Sequence, residues 1–112
     1  MSSRLGDYIV QHSYRIEAGR DDELLVLLRS IEEWAHDLGV AQFEVWRDAD
    51  DSTHITEIHS FDSWAHYVRI SKKEPPRAMQ TVYSDLDDLI VGGLDAITTH
   101  SWDPRVLISS AD

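Results

Sequence analysis

The chain has 112 residues, 42% of them apolar and 28% charged, a composition typical of one soluble globular domain. Ten basic residues stand against twenty-one acidic ones, and the net charge of −11 excludes nucleic acid and disfavours an anionic membrane surface as partners. The absence of cysteine excludes disulfides, thiol nucleophiles and cysteine-ligated zinc. No apolar run reaches the roughly 20 residues of a membrane span. The segment "MSSRLGDYIV" lacks the long apolar stretch of a signal peptide, so we expect none there. We therefore expect a single cytoplasmic domain over residues 1–112.

The first half of the chain predicts a strand, a helix and a second strand. Residues 8–16 alternate and are rich in β-branched and aromatic side chains, as strands are. One face of this strand carries Tyr8, Val10, His12, Tyr14 and Ile16. Asp21 or Asp22 is the expected N-cap of a helix whose apolar residues recur at helical spacing up to Leu38, with Gly39 as its C-terminal cap. The second strand is predicted over Ala41–Asp48.

The second half predicts a hairpin, two helices and a last strand. A polar turn leads into a third strand over His54–Phe61, which pairs with the second strand. Asp62 is the expected N-cap of a short helix that Ser71–Pro76 ends. A longer helix follows over Ala78–Ile90, opened by the two prolines and ended by two glycines. A fourth strand is predicted over residues 94–102, and the tail 104–112 contains an apolar triplet at 106–108 that is suited to pair with a neighbouring chain.

The order β-α-β-β-α-β predicts an α+β fold of the ferredoxin-like type, an antiparallel sheet with its helices on one face. Both faces of the sheet carry apolar groups, since Phe43 and Val45 lie opposite Trp46, and Ile55 lies opposite Ile58. The face away from the helices therefore needs a cover. A second copy of the chain supplies one by face-to-face sheet packing, so we expect a homodimer.

Three segments resemble a known family. They are "FEVWRD" in the second strand, "TEIHSFDSW" at the end of the third, and the helix "PPRAMQTVYSDLDDLI". Together they resemble the antibiotic biosynthesis monooxygenase-like domains of the dimeric α+β barrel superfamily, with Glu57, Ser63 and Trp64 at the positions of the family's pattern. The resemblance covers roughly residues 6–103.

The resemblance implies a homodimer in which two four-stranded sheets pack into a barrel, with a cleft in each subunit between helices and sheet. Some members oxidise quinol precursors with molecular oxygen and no cofactor, and others degrade haem. The haem-degrading members use an Asn on the first strand and a His in the second helical region. This chain has Gln11 and His12 in the first segment and "SKKEPPR" in the second. We therefore expect no cofactor and a small aromatic or quinol-type substrate.

The resemblance and the residue chemistry together suggest site residues. Trp64 and Tyr67 suit the stacking of a planar ring. A histidine whose pKa lies near neutrality suits the proton-abstracting base that such an oxidation needs. The candidate bases are His66, His12 and His59, and the candidate substrate-binding residues are Trp64, Tyr67, Tyr14, Trp46 and Tyr83.

A polar cluster is also expected where the first and third strands meet. His12 shares a face with Tyr14, and Glu57 shares a face with His59, so neighbouring strands bring these groups together, with His100 as a further candidate. Their spacing is not a metal-ligand motif, because His54 lies on the other strand face, and we expect no metal site. The alternative to an enzyme is a non-catalytic ligand-binding or dimerisation module of the same fold. A cavity of about 300 Å³ or more would favour an enzyme or binder.

Overall fold

The computed structural model of the protein describes residues 8–40 and 42–102. The strands and helices, in chain order, are β1 (Tyr8–Arg15), α1 (Asp21–Asp37), β2 (Gln42–Arg47), β3 (His54–Phe61), α2 (Trp64–Ser71), α3 (Arg77–Leu89) and β4 (Thr98–Trp102). The predicted order, with its short extra helix before the long second one, is confirmed. The apolar triplet of the tail lies outside the described residues.

The four strands form one antiparallel sheet in the order β2-β3-β1-β4. This order and the helices between the strands make the fold ferredoxin-like, as predicted. In the two central strands, His12 of β1 is paired with Glu57 of β3 and, on its other side, with Thr99 of β4. The register therefore places the polar residues of β1 and β3 side by side on one face of the sheet.

The helices pack on that same face. Leu24, Leu28 and Ile31 of α1 are buried against Tyr14 of β1 and Ile55 of β3. Met79, Leu86 and Leu89 of α3 complete the same core. Helix α3 is amphipathic, and burial of its apolar stripe, at roughly 1.5–3 kcal/mol for each large apolar side chain, holds it on the sheet.

The opposite face of the sheet carries no helix in the described part of the chain. Ile9 and Ile58 are buried at its centre, while Trp46 on β2 and Trp102 on β4 are about half exposed at its two edges. The indole N–H of Trp102 donates to Gln11 Oε1 at 3.1 Å, so this ring lies across the neighbouring strand. We call this surface the open face.

The helix boundaries correct three predictions. Helix α1 is capped by Arg20 rather than by Asp21 or Asp22, and the Arg20 guanidinium binds acidic side chains on either side of it along the chain. Helix α2 is capped by Ser63 rather than Asp62, because the Ser63 hydroxyl accepts the N–H of His66 at 3.0 Å. Helix α3 begins and ends one residue earlier than predicted.

The predicted fourth strand is also shorter than expected. Leu94–Ala96 forms a 3-10 turn, and β4 begins only at Thr98. The turn starts at Gly93, which has a φ of 76° and lies so close to Asp87 that a Cβ would stand 2.7 Å from its Oδ1. That same oxygen accepts the N–H of Leu94 at 2.7 Å, so the turn is fixed by a side chain of the preceding helix. No helix in residues 8–40 and 42–102 is long and apolar enough to cross a membrane.

Candidate functional site

A cavity of about 300 Å³ lies between the sheet and the helices. His12 of β1 and His59 of β3 form its polar floor, and Trp34 of α1 and Tyr83 of α3 stand on its walls. Small-molecule sites span roughly 300–1,000 Å³, so this cavity suits a ligand of one or two fused rings. Helix α2 and its connection to α3 border the remaining side.

A buried carboxylate organises the floor of this cavity. Oε2 of Glu57 accepts a hydrogen bond from the Tyr14 hydroxyl, and Oε1 of Glu57 lies 3.1 Å from Nε2 of His59. Glu57 is only 5% exposed and Tyr14 only 4%. A buried carboxylate is tolerated where each oxygen has a donor, and here both oxygens have one.

The contact with Glu57 decides which nitrogen of His59 carries the proton. An ionised carboxylate only accepts hydrogen bonds, so Nε2 of His59 must be the donor. In the neutral ring, Nδ1 is then without a proton and can accept one.

His12 lies next to His59 with a different environment. The two rings are 5.1 Å apart in an edge-to-face arrangement, and His12 Nδ1 is 3.0 Å from the Thr99 hydroxyl. Burial and the neighbouring His59 lower the pKa of His12 below 6.5, and the opposing attraction of Glu57 is smaller. His12 is therefore held in its neutral form near pH 7.

The two tyrosines near Glu57 are held as neutral hydroxyls. Burial first, and then the charge and hydrogen bond of Glu57, raise the pKa of Tyr14 well above 10. Burial also raises the pKa of Tyr83, with a further contribution from Glu57. Tyr14 thus acts as a hydrogen-bond donor behind the floor, and Tyr83 offers a neutral phenol at the cavity wall.

The walls of the cavity are aromatic. Phe61 at the end of β3 packs edge to face on Tyr67 of α2, with ring centroids 5.1 Å apart, and both border the cavity. Trp34 lies on the buried side of α1, between Ile31 and Leu38, which also line the cavity. Such a lining binds flat apolar rings, while the two histidines provide the polar contacts.

By sequence, the chain matches no family model and no curated protein. In structure it is similar to a proposed antibiotic biosynthesis monooxygenase from Deinococcus radiodurans, with a TM-score of 0.71 over 94% of this chain and 99% of that one, at 13% identity. A proposed antibiotic biosynthesis monooxygenase from Chloroflexus aurantiacus has a TM-score of 0.63 at 21% identity, over 91% of this chain and 96% of that one. A variant of SnoaB, a cofactor-independent oxygenase from Streptomyces nogalater, has a TM-score of 0.67 at 10% identity, over 96% and 100%.

The chain shares the α+β fold of these three proteins. The three structures match it over nearly their whole length, so the fold implied by the sequence segments is confirmed. At identities of 10–21% the likeness concerns the fold alone. The chemistry of the site must therefore be argued from the residues of this chain.

Within this fold, five of the predicted site residues come together. His12, His59, Tyr67 and Tyr83 line the cavity, and Tyr14 lies directly behind it through its bond to Glu57. Strand alternation and the pairing of β1 with β3 place the residues of the two strands side by side. The roles of all five remain predictions.

The other three predicted residues lie elsewhere. Trp64 is 63% exposed and does not line the cavity, which corrects its expected place over the ring, because α2 turns Tyr67 inward instead. His66 packs against Phe61, 6.0 Å between ring centroids, and accepts the N–H of Asp62 through Nδ1 at 3.4 Å. Neither His66 nor Trp46 borders the cavity.

Trp46 lies at the edge strand β2, where it hydrogen-bonds Glu44 on the open face and borders a separate groove of about 480 Å³ beside α1. That groove is larger than the cavity, but its lining of leucines, other apolar side chains and the charged Arg29, Glu32 and Arg47 contains no histidine or tyrosine. His100, a candidate for the polar cluster, also lies elsewhere. It is paired with Gln11 on the open face and packs on Trp102 at 4.5 Å.

Among the cavity residues that the sequence did not predict, three are aromatic or charged: Trp34, Phe61 and Lys73. Helical spacing assigns Trp34 only to the apolar stripe of α1, and strand alternation makes Phe61 only the end of a strand. Lys73 falls in a helix-breaking segment, yet it borders the cavity. The concentration of basic residues around Lys73 was the available signal. Within residues 8–40 and 42–102, no three metal-ligating side chains are grouped so that they could hold an ion.

Proposed function

We propose that the protein is a cofactor-independent monooxygenase that oxidises a small hydroxylated aromatic compound with molecular oxygen. One observation carries the proposal: a histidine on the floor of an aromatic cavity, His59, is bound through Nε2 to the buried carboxylate of Glu57. This arrangement leaves Nδ1 as a proton acceptor. The similarity in fold to SnoaB, a cofactor-independent oxygenase, supports the proposal.

In the proposed reaction, His59 removes the proton of a phenolic hydroxyl and Glu57 positions the ring and stabilises the imidazolium. A carboxylate that orients a histidine base in this way is a recurring catalytic device. His12, held neutral beside it, offers a hydrogen bond to the substrate oxygen. Trp34, Phe61 and Tyr67 hold the ring.

The electrons for the reaction come from the substrate. The phenolate is electron-rich at the ring carbon para to its oxygen, and that carbon forms a bond to molecular oxygen. The O–O bond of the resulting hydroperoxide then breaks, the hydrogen of that carbon is lost as a proton, and a para-quinone and one water leave. One phenol and one oxygen molecule thus give one quinone and one water, with no external reductant.

The proposed assembly is a homodimer formed through the open face. The half-exposed Trp46 and Trp102 at the two edges of this face support it, because large aromatic side chains favour interfaces. Light scattering is expected to give twice the 12.8 kDa chain mass. A monomer mass at micromolar concentration would reject the assembly without affecting the cavity.

The test uses 1-naphthol as a two-ring phenol and follows oxygen consumption with an electrode and quinone formation by absorbance. We expect one oxygen consumed per quinone formed. His59→Ala should lower the rate by about 10²–10³-fold, since a general base contributes roughly 10²–10⁴-fold. The matched control is His36→Ala, which removes an exposed histidine of α1 and should leave the rate unchanged.

The alternative, a non-catalytic ligand-binding or dimerisation module, predicts different results. Binding of 1-naphthol without oxygen consumption would favour a ligand-binding module. Equal rates for wild type and His59→Ala would remove His59 as the base. Failure of 1-naphthol to bind at all would contradict the proposed function.

A further inference from the structure

The connection between α2 and α3 is positively charged in a strongly acidic protein. Four of the ten basic residues of the chain fall within residues 69–77, against a single acidic residue, Glu74. They are Arg69, Lys72, Lys73 and Arg77. Among the other described arginines, Arg15, Arg20 and Arg47 are each paired with a carboxylate, and Arg29 is in no salt bridge within the described residues.

None of the four basic residues at 69–77 forms a salt bridge within the described chain. In a chain with a net charge of −11, solubility does not require such a group of unpaired cations. A concentration of one charge beside a concave, low-dielectric surface attracts ligands of the opposite charge.

One member of this group borders the cavity. Lys73 lines it together with Ser71 and Pro75, and its exposure to solvent places it at the rim. Its backbone N–H donates to the carbonyl of Ile70 at 3.0 Å, so the start of the side chain is fixed by the last turn of α2. Lys72, its neighbour, caps α2 and does not border the cavity.

We propose that the ligand of this cavity is an anionic aromatic acid, with its ring among the aromatic walls and its carboxylate bound by Lys73 at the rim. The inference rests on the proposed function and narrows its substrate class. It follows from Lys73, which is the only lysine or arginine that borders the cavity in residues 8–40 and 42–102. Lys73 is exposed, whereas the two histidines of the floor are partly buried. The two ends of the cavity thus differ in chemistry, a proton acceptor at one and a fixed positive charge at the other.

The difference in solvent exposure between Lys73 and the floor decides where the substrate carboxylate binds. Lys73 is exposed, so its ammonium keeps most of its hydration while it binds an anion. The floor is buried and holds its own carboxylate, Glu57, which would repel a second one. A substrate carboxylate is therefore favoured at the rim and disfavoured at the floor, and this orients the phenolic hydroxyl toward His59.

The test compares two probes that differ only by a carboxylate, 1-naphthol and 5-hydroxy-2-naphthoate, whose carboxylate lies on the ring that does not carry the hydroxyl. Their dissociation constants are measured by titration calorimetry under nitrogen, so that oxidation does not interfere. Wild type is expected to bind the acid about tenfold more tightly than 1-naphthol, since tenfold corresponds to about 1.4 kcal/mol, the scale of one partly hydrated charged contact. Raising the salt concentration should weaken binding of the acid and leave 1-naphthol unaffected.

Lys73→Met should reduce the preference for the acid to about twofold or less. Lys72→Met is the matched control, because it removes the same charge from the adjacent exposed position without touching the cavity. It should leave the preference within about twofold of the wild-type value. Both side chains are exposed, so neither change should unfold the protein.

Each outcome has a distinct meaning. If both variants lost the preference for the acid equally, the preference would come from the summed positive charge of the segment, and the assignment to Lys73 would be overturned. Binding of 1-naphthol as tightly as the acid by wild type would overturn the anionic substrate while leaving the proposed function in place. Failure of both probes to bind would contradict the proposed function itself.

Discussion

Replacing Tyr14 with phenylalanine removes one hydroxyl group from the contact between β1 and β3. That hydroxyl donates to Oε2 of Glu57, and both residues are buried. In Tyr14→Phe the carboxylate keeps His59 on Oε1 but has no donor on Oε2. Water has little access to replace the lost hydroxyl, so most of the energy of the contact is lost.

The expected size of the effect follows from this geometry. A hydrogen bond to a charged group contributes about 1.5–3 kcal/mol to stability, and the removal of one oxygen leaves almost no cavity. We expect Tyr14→Phe to lower the free energy of unfolding by about 2 kcal/mol, a factor of about 30 in the folding equilibrium. With a urea m-value of about 1.5 kcal/mol/M, the unfolding midpoint should fall by about 1.3 M.

The assay is urea unfolding followed by circular dichroism, at a fixed protein concentration because dimer formation would couple stability to concentration. Tyr8→Phe is the matched control. The Tyr8 ring packs on Tyr67 at 5.2 Å, but its hydroxyl makes no hydrogen bond within the described part of the chain, so its loss should cost less than about 0.5 kcal/mol. A loss for Tyr14→Phe as small as that of the control would refute the reasoning.

The pH dependence of the same variant gives a second check. The folded-state pKa of Tyr14 is raised above its ordinary value of 10.0. The unfolded chain therefore loses this proton near pH 10 while the folded chain keeps it. The contribution of Tyr14 to stability is fully present below about pH 10 and falls as the pH rises further. The difference between wild type and Tyr14→Phe should shrink above about pH 10, and a constant difference would contradict the raised pKa.

Two further predictions concern His12 and Trp64. The pKa of His12 is lowered below 6.5 in the folded state, so its contribution to stability is present above pH 6.5 and is lost as the pH falls through the folded-state value. Urea unfolding between about pH 7.5 and about pH 5.5 measures how much stability is lost as the pH falls. This loss should be smaller in His12→Asn than in wild type, whereas the exposed His36→Asn serves as the control and should keep the wild-type loss. An equal loss in the two variants would contradict the prediction. Trp64→Ala should leave the dissociation constant of 1-naphthol within about twofold, because the side chain is exposed outside the cavity, while Trp34→Ala should weaken binding at least about tenfold. Weaker binding in Trp64→Ala would place that residue at the ligand.

The strands, helices and their order were predictable from the sequence because each depends on local patterns. Alternation in residues 8–16 and helical spacing after Asp21 follow directly from which faces are buried. Strand alternation also predicted that His12 shares a face with Tyr14 and that Glu57 shares one with His59. Helix caps and the start of β4 were less predictable, because they depend on individual hydrogen bonds that the apolar pattern does not show. The Ser63 hydroxyl accepts the N–H of His66 and so caps α2, and the Asp87 carboxylate accepts the N–H of Leu94 and so fixes the turn before β4.

Only the tertiary structure decided which aromatic side chains line the cavity. Tyr67 and Trp64 lie three residues apart on α2 and were both expected to stack on a ring. In the structure Tyr67 packs on Phe61 at the cavity, while Trp64 is left in solvent. The same packing brings Trp34 and Lys73, distant in sequence, to one cavity. Periodicity along a chain specifies which residues share a face. The depth at which each lies depends on how the elements pack against one another, and that is set by contacts between distant residues.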